Sequence, residues 1–420
     1  MINSEAMVSF CGHLDMTSAD VTSELSALVK RISWTKWNQL NNTEFNPDVF
    51  LNTPEMIKRA GYPAEAHVIM TEDGYLLTLH RIPGGNGSPP VLLLHGILCT
   101  SAVWVILGKG KALAYLLADQ GYDVWLGNFR GGTYSRAHIS LSSSDPKFWD
   151  FSFHEMGIYD LPAMITFITN MRSQPLHTYI GHSMGTTSFY VMATERPEIA
   201  RMVQLMISLG PGAFLNHMQS PVRQFFFSLK DSQTITRVFF HDELFPQNDF
   251  VRFLTKYLCY QNFAQKEMCA NLIFLTMGSD REQFNYTLLP VILGHFPAST
   301  STKTLLHFGQ EIQSGKFCRY DYGREKNFLI YNSVEPPDYN VTSITVPIAL
   351  FYSDGDLLVA SVDVKRLYHL LPNVVDMYEV PWPNFNHVDF LWAKDAPKLV
   401  YERILKIMKG KNSTNVTTMG

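Results

Sequence analysis

One pentapeptide restricts the fold of this chain more than any other feature. Residues 181–185 read Gly-His-Ser-Met-Gly, the single G-x-S-x-G in the sequence, with Ser183 at its centre. A predicted strand precedes the pentapeptide and a predicted helix follows it. A strand that turns sharply into a helix projects the serine hydroxyl above the sheet, and flanking glycines are needed because a Cβ there would collide with neighbouring elements. The motif therefore predicts a nucleophilic serine at the edge of a parallel sheet.

The segments on both sides of this turn alternate between strand and helix patterns. A hairpin is predicted around Asp73-Gly74, where a turn dipeptide separates two strand-like runs. The further predicted strands are 91–94, 122–126, 178–180, 203–209, 346–352 and 377–380, and the predicted helices are 110–120, 160–171, 184–196 and 397–408. Such alternation predicts a mostly parallel, doubly wound α/β sheet with right-handed crossovers.

The alternation stops after Pro211 for more than a hundred residues. This stretch is rich in Phe, Leu and Met and follows no strand rhythm. We therefore predict an α/β core at 51–212 and 346–410, interrupted by an inserted, mainly helical cap at 213–345. Residues 1–50 and 411–420 are predicted as terminal tails.

A serine hydroxyl is a poor nucleophile unless a base takes its proton and an acid orients that base. Two carboxylates, Asp354 and Asp356, follow the predicted strand at 346–352, at the end where sites in open α/β sheets lie. Both are candidates for the acid on position alone.

The base should be a histidine further along the chain. His387 follows the last predicted strand in a loop, whereas His369 has the periodic apolar neighbours of a helix. We therefore predict His387 as the base. Asp389 is interpreted as the cap of the following helix.

An oxyanion intermediate needs backbone N–H donors. One donor should be the N–H of Met184, which follows the nucleophile, and the other should come from the loop 95–98, after the strand at 91–94.

Composition excludes several other classes of protein. The net charge is −4 and Lys and Arg form no cluster, which argues against a nucleic-acid partner. The five cysteines include no C-x-x-C, so neither a metal site nor a cofactor is predicted. Cys259 and Cys269 are close enough in sequence for a disulfide that would close a short loop. Free buried thiols are the alternative interpretation.

The signals for a cellular compartment disagree. Residues 1–31 carry four acidic residues and no continuous apolar stretch, so they do not resemble a signal peptide, and no run approaches the roughly 18 apolar residues of a membrane helix. Six N-x-[ST] sequons, which matter only in the secretory pathway, begin at Asn41, Asn86, Asn285, Asn340, Asn412 and Asn415.

From about Asn52 to Met408 the chain resembles the acid lipase family, which includes gastric and lysosomal acid lipases and arthropod relatives. The residues that carry the resemblance are, in chain order, Gly61-Tyr62-Pro63, Thr71-Glu72-Asp73-Gly74-Tyr75, His95-Gly96, Gly127-Asn128-Phe129-Arg130-Gly131, Phe148-Trp149-Asp150-Phe151-Ser152, Tyr159-Asp160-Leu161-Pro162, the pentapeptide around Ser183, Gly315-Lys316-Phe317, Asp356-Leu357-Leu358 and Asn386-His387-Val388-Asp389-Phe390.

The resemblance implies an α/β-hydrolase fold in which Ser183, His387 and Asp356, rather than Asp354, form a catalytic triad. It also implies that the N–H groups of Ile97 and Met184 form the oxyanion hole.

Further expectations come from the same resemblance. Cys259 and Cys269 would form a disulfide, the inserted cap would carry a mobile lid, and the protein would be secreted or lysosomal. The chain departs from the family in two ways: Met184 stands where many members have Gln, and the expected leader peptide is not seen.

The predicted function is hydrolysis of lipid esters, triacylglycerols or steryl esters, at a lipid–water interface. Three apolar clusters at 224–227, 238–240 and 272–275 of the insertion suit this role, although packing of the cap is the alternative for them. A soluble esterase or thioesterase for shorter acyl chains is the second candidate, and a catalytically silent lipid-binding protein is the third. No oligomeric state is predicted.

Overall fold

The structure is a computed structural model that describes residues 46–229, 242–245 and 263–416. Its strands, numbered in chain order, are β1 Glu65–Met70, β2 Tyr75–Ile82, β3 Pro90–Leu94, β4 Asp123–Leu126, β5 Ala137–His138, β6 Thr178–His182, β7 Met206–Leu209, β8 Glu243–Leu244, β9 Thr300–Ser301, β10 Ile348–Tyr352 and β11 Val374–Glu379.

The α-helices are α1 Thr53–Arg59, α2 Leu113–Asp119, α3 Phe153–Glu155, α4 Leu161–Arg172, α5 Met184–Glu195, α6 Pro197–Ala200, α7 Val222–Leu229, α8 Phe263–Met277, α9 Leu289–His295, α10 Thr302–Ser314, α11 Arg324–Tyr331, α12 Ser361–Leu370, α13 Asp389–Trp392 and α14 Glu402–Val416. Short 3₁₀-helices are Pro47–Val49, Ser101–Trp104, Pro146–Trp149 and Val341–Ser343, and π-helical turns are Met156–Asp160 and Pro397–Tyr401.

The main sheet has the strand order β1-β2-β4-β3-β6-β7-β10-β11, with β5 paired to β2. Strands β1 and β2 form the antiparallel hairpin around Asp73-Gly74, β2 is antiparallel to β4, and the pairs from β4 to β11 are parallel. This confirms the predicted α/β class and its mostly parallel sheet.

Both faces of the sheet are covered, as parallel strands require. In β3, Leu92 and Leu94 belong to one buried apolar cluster while Val91 and Leu93 belong to a second cluster on the opposite face. The alternation follows from the twofold repeat of side chains along a strand. It explains why the sequence of β3 is apolar throughout.

Three motifs of the family resemblance meet in one buried ion cluster. The guanidinium of Arg130, which is about 1% exposed, bonds to Asp160 at 2.7 Å and to Asp73 at 2.6 Å, and it lies 4.0 Å from the ring centroid of Tyr75. Burial raises the pKa of Asp160 to about 6, against the opposing effect of Arg130. The ion cluster thus joins the β1–β2 turn, the segment after β4 and the turn that precedes α4.

The described part of the inserted segment contains helices α7 to α11 and the two-stranded sheet of β8 and β9. Phe226 of α7 packs against Gly309 of α10, where a Cβ would lie 3.1 Å from the ring. The predicted division into core, cap and tails stays a prediction. Among the described residues, none of the helices has the length and apolar character needed to cross a membrane.

Candidate functional site

Ser183 occupies the turn between β6 and α5 in a strained conformation. Its φ of 54° and ψ of −120° lie outside the regions that a residue with a side chain prefers. A Cβ on Gly181 would lie 2.8 Å from backbone atoms of Gly185, and one on Gly185 would lie 2.5 Å from the Leu94 carbonyl oxygen. The glycines are therefore required by close backbone contacts, as the motif predicts.

His387 and Asp356 come together at the same edge of the sheet. The ring Nδ1 of His387 lies 2.7 Å from Asp356 Oδ2, and both side chains are buried. Because a carboxylate only accepts, Nδ1 carries the hydrogen and Nε2 is the basic nitrogen. Among the described residues, Nε2 has no hydrogen-bond partner. Asp354 instead is exposed and accepts from the Ser361 hydroxyl.

The second carboxylate oxygen of Asp356 is also fixed. Its Oδ1 accepts from the backbone N–H groups of Leu358 at 2.8 Å and Val359 at 2.9 Å. These two donors hold the carboxylate in the orientation that presents Oδ2 to His387. Sequence spacing did not decide which of Asp354 and Asp356 is the acid. The turn places Asp356, and not Asp354, next to His387.

His182, which precedes the nucleophile, is a site residue that the sequence reasoning missed. Its Nε2–H donates to the backbone carbonyl of His387 at 2.8 Å, and the two imidazole centroids lie 4.8 Å apart. Burial lowers the pKa of His182 well below its usual range, so the ring is neutral. The hydrogen bond from His182 therefore connects the turn that carries Ser183 to the loop that carries His387. The variable position of G-x-S-x-G was the one available signal.

The loop after β3 lies directly against the nucleophile. A Cβ on Gly96 would lie 3.0 Å from the Cβ of Ser183, and Leu98 adopts a φ of 60°. His95 fixes the loop, since its Nδ1–H donates to the Gly96 carbonyl at 2.8 Å while its Nε2 accepts from the Phe129 N–H at 3.3 Å. Ile97 and Met184 are thus on the two segments that flank Ser183.

The end of helix α8 contacts the loops of both the acid and the base, which sequence reasoning also missed. The carbonyl of Met277 accepts from the N–H groups of Leu357 and His387, each at 3.3 Å. Gly278 adopts a φ of 116°, and a Cβ there would lie 2.3 Å from the Gly355 carbonyl oxygen. The C-terminal end of α8 therefore contacts the loops of both the candidate acid and the candidate base.

The remaining predicted residues lie elsewhere or are not described. His369 is on helix α12, as expected from its apolar neighbours. Cys269 is disulfide-bonded and Cys99 is a buried free thiol. Cys259 lies outside the described residues, so its pairing with Cys269 stays a prediction.

Asp389 corrects one interpretation of the sequence. It is the first residue of α13 rather than its N-cap, and its Oδ2 accepts from the Asn386 N–H at 2.7 Å. Its carboxyl therefore bonds within the loop of the base. Across the described ranges, no group of three or more His, Cys, Asp or Glu could hold a metal ion.

Comparison with known proteins identifies the family of this chain. A family model for a partial alpha/beta-hydrolase lipase region matches residues 53–108, and a model for the alpha/beta hydrolase fold matches residues 89–393. Lipase 3 of Drosophila melanogaster is 42% identical, covering 84% of this chain and 92% of its own length.

Two human proteins match at similar length. Gastric triacylglycerol lipase is 39% identical, covering 86% of this chain and 92% of its own. Lysosomal acid lipase/cholesteryl ester hydrolase is 36% identical, covering 92% and 98%. The resemblance inferred from the motifs is confirmed. The chain belongs to the α/β-hydrolase family, among the lipases that include the gastric and lysosomal acid enzymes.

Proposed function

We propose that this enzyme hydrolyses carboxylic esters of lipids through a Ser183–His387–Asp356 triad. The observation that carries the proposal is the 2.7 Å bond from His387 to Asp356, which leaves Nε2 as a base beside the strained turn of Ser183. A base held in one tautomer next to a serine that stands above the sheet is the arrangement that acyl transfer requires.

The reaction proceeds through an acyl-enzyme. Nε2 of His387 takes the Ser183 proton as Oγ attacks the ester carbonyl, and the N–H groups of Ile97 and Met184 bind the oxyanion. His387 then protonates the leaving alcohol. Water repeats the sequence on the acyl-enzyme, which releases the fatty acid and restores Ser183. The carboxylate of Asp356 stabilises the imidazolium.

Triacylglycerols or steryl esters are the proposed substrates. Support comes from the names of the two human relatives and from helix α8, where Leu272 and Leu275 are 65% and 58% exposed. Ile273 and Phe274 of the same cluster are buried, so for them the packing alternative holds. Residues 238–240 lie outside the described residues. An exposed apolar stripe beside the site suits contact with a lipid–water interface.

We also propose that the protein matures in the secretory pathway and is secreted or lysosomal. The disulfide at Cys269 and the exposed sequon asparagines Asn86 and Asn340 support this. Non-reducing peptide mapping should find Cys259 linked to Cys269, and glycosidase treatment should shift the mass of the protein from insect cells. Two free thiols would contradict the disulfide.

The function is tested by hydrolysis of p-nitrophenyl esters from acetate to palmitate at pH 5 and pH 7.5. Wild type should prefer long chains, and Ser183→Ala should lose on the order of 10⁴–10⁶ in rate. A preference for short chains would instead indicate a soluble esterase. Full activity in the variant would overturn the assignment of Ser183, and inactivity of both proteins would favour a lipid-binding role.

A further inference from the structure

Thr300 carries a buried hydroxyl group that none of the described residues satisfies. The residue is about 4% exposed, and its Oγ1 has no hydrogen-bond partner within the described ranges. The hydroxyls of its two neighbours are both used, because Ser299 donates to the Gly131 carbonyl at 2.7 Å and Ser301 donates to the Trp149 carbonyl. The Thr300 hydroxyl is therefore available to a ligand.

The segment that carries Thr300 is bonded to the loop that follows β3. The Ala298 N–H donates to the Leu98 carbonyl at 2.6 Å, and Leu98 is the residue of that loop with a φ of 60°. Thr300 itself lies in β9, which forms a two-stranded sheet with β8. The bonds of Ala298, Ser299 and Ser301 thus fix the backbone on both sides of Thr300.

Thr300 also lines a small cavity beside the turn of the nucleophile. The cavity has a volume of about 10 Å³, which is close to the space that one water-sized group occupies. Its wall includes Met184, whose N–H is one expected oxyanion donor, and Leu98, which follows Ile97. The cavity therefore adjoins both segments that are proposed to bind the oxyanion.

Most of the other polar side chains in the wall of this cavity already have hydrogen-bond partners. Both ring nitrogens of His95 are bonded, Arg130 binds two carboxylates, and Ser299 donates to a backbone carbonyl. Cys99 is a free thiol, and a thiol is a weak donor. Among the described residues that line the cavity, the Thr300 hydroxyl is therefore the strongest side-chain donor that lacks an acceptor.

We propose that Thr300 is a further catalytic residue: its hydroxyl donates a third hydrogen bond to the oxyanion that the N–H groups of Ile97 and Met184 bind. The inference rests on the proposed function. As Ser183 attacks, the carbonyl oxygen of the ester gains negative charge. A donor held in a buried, fixed position stabilises that charged oxygen more than the uncharged ester. Thr300 keeps its proton throughout the reaction.

The test compares Thr300→Val, which removes the hydroxyl, with Thr300→Ser, which keeps it, and uses Thr302→Val as the matched control. Thr302 is about 3% exposed and its Oγ1 also lacks a partner among the described residues, but Thr302 does not line the cavity. The measurements are kcat and KM on the ester that wild type prefers, the rate at which a p-nitrophenyl alkylphosphonate labels Ser183, and the midpoint of urea unfolding.

Thr300→Val should lower kcat about a hundredfold, leave KM within about threefold of wild type and slow the labelling by a factor similar to the loss of kcat. Thr300→Ser should keep kcat within about fivefold of wild type, because the hydroxyl remains. Thr302→Val should have the kcat of wild type. Neither valine variant should lower the midpoint of urea unfolding, since each loses a buried hydroxyl that has no partner among the described residues.

The proposal is overturned by a wild-type kcat in Thr300→Val, by a serine variant as slow as the valine variant, by a raised KM with unchanged kcat, or by an equal loss of kcat in Thr302→Val. A lower urea midpoint for Thr300→Val would assign the hydroxyl a structural role and overturn it as well. If wild type neither hydrolyses esters nor is labelled at Ser183, the proposed function fails together with the third donor. If wild type does both and Thr300→Val equals it, only the third donor fails.

Discussion

Glu311 on α10 is expected to make the stability of this protein depend on pH. The side chain is fully buried, and neither carboxyl oxygen forms a hydrogen bond to any of the described residues. Burial raises its pKa well above the ordinary value of 4.5. The change to make is Glu311→Gln, which keeps the shape and removes the ionisation.

The sign follows from proton binding. Above pH 4.5 the unfolded chain releases the Glu311 proton while the folded chain keeps it, so the unfolded state gains about 1.36 kcal/mol for each pH unit. The stability that Glu311 contributes is complete below pH 4.5 and is lost as pH rises towards the folded pKa. Each pH unit over which the folded chain keeps the proton costs about 1.36 kcal/mol, so the loss between pH 5 and pH 7 is at most about 2.7 kcal/mol.

Equilibrium urea unfolding at pH 5, 6 and 7, followed by tryptophan fluorescence, measures this loss. Across that range the free energy of unfolding of wild type should fall more than that of Glu311→Gln, by up to about 2.7 kcal/mol. A change in the free energy of unfolding that the buried amide causes equally at every pH cancels in this comparison. The exposed Glu402→Gln is the control and should follow wild type. Parallel pH curves for wild type and Glu311→Gln would refute the reasoning.

Three further predictions concern the core and the site. Arg130→Met leaves Asp73 and Asp160 unpaired and should lower the free energy of unfolding by about 3–5 kcal/mol in the same urea assay; an effect under 1 kcal/mol would contradict a buried ion pair. Asp356→Asn favours the wrong tautomer of His387 and should lower kcat by about 10⁴, with Asp354→Asn as the matched control that stays near wild type. Gly278→Ala forces a Cβ towards the Gly355 carbonyl and should lower kcat at least about tenfold, as measured by active-site titration with steady-state kinetics; unchanged kcat would show that the contact relaxes freely.

The sequence was informative wherever a local pattern has one physical explanation. The all-apolar run of β3 indicated a strand covered on both faces, and the glycines around Ser183 indicated a turn with close backbone contacts. Boundaries were less accurate: β11 begins at Val374 rather than Met377, because Asp376 interrupts the apolar run after Val374 and Val375. The final helix extends to Val416 rather than ending near Met408.

Contacts between distant segments were beyond the reach of the sequence. Support of the site by Met277 uses a backbone carbonyl, which every residue type has, so no residue identity signals it. His182 has a side chain that could serve many roles, and its partner His387 lies 205 residues away. The sequence also could not distinguish Asp356 from Asp354, because a local turn decides which carboxylate contacts His387.

The Met277 carbonyl accepts hydrogen bonds from the loops of both the acid and the base. This limits where related lipases could exchange segments. The predicted insertion, residues 213–345, could be exchanged between two relatives to test this dependence. A crossover placed upstream of Met277 would keep the native carbonyl and Gly278 with the loops they contact. One placed downstream would bring in a foreign junction and alter the geometry of the acid and the base together. Chimaeric enzymes should therefore tolerate the first junction and lose turnover at the second.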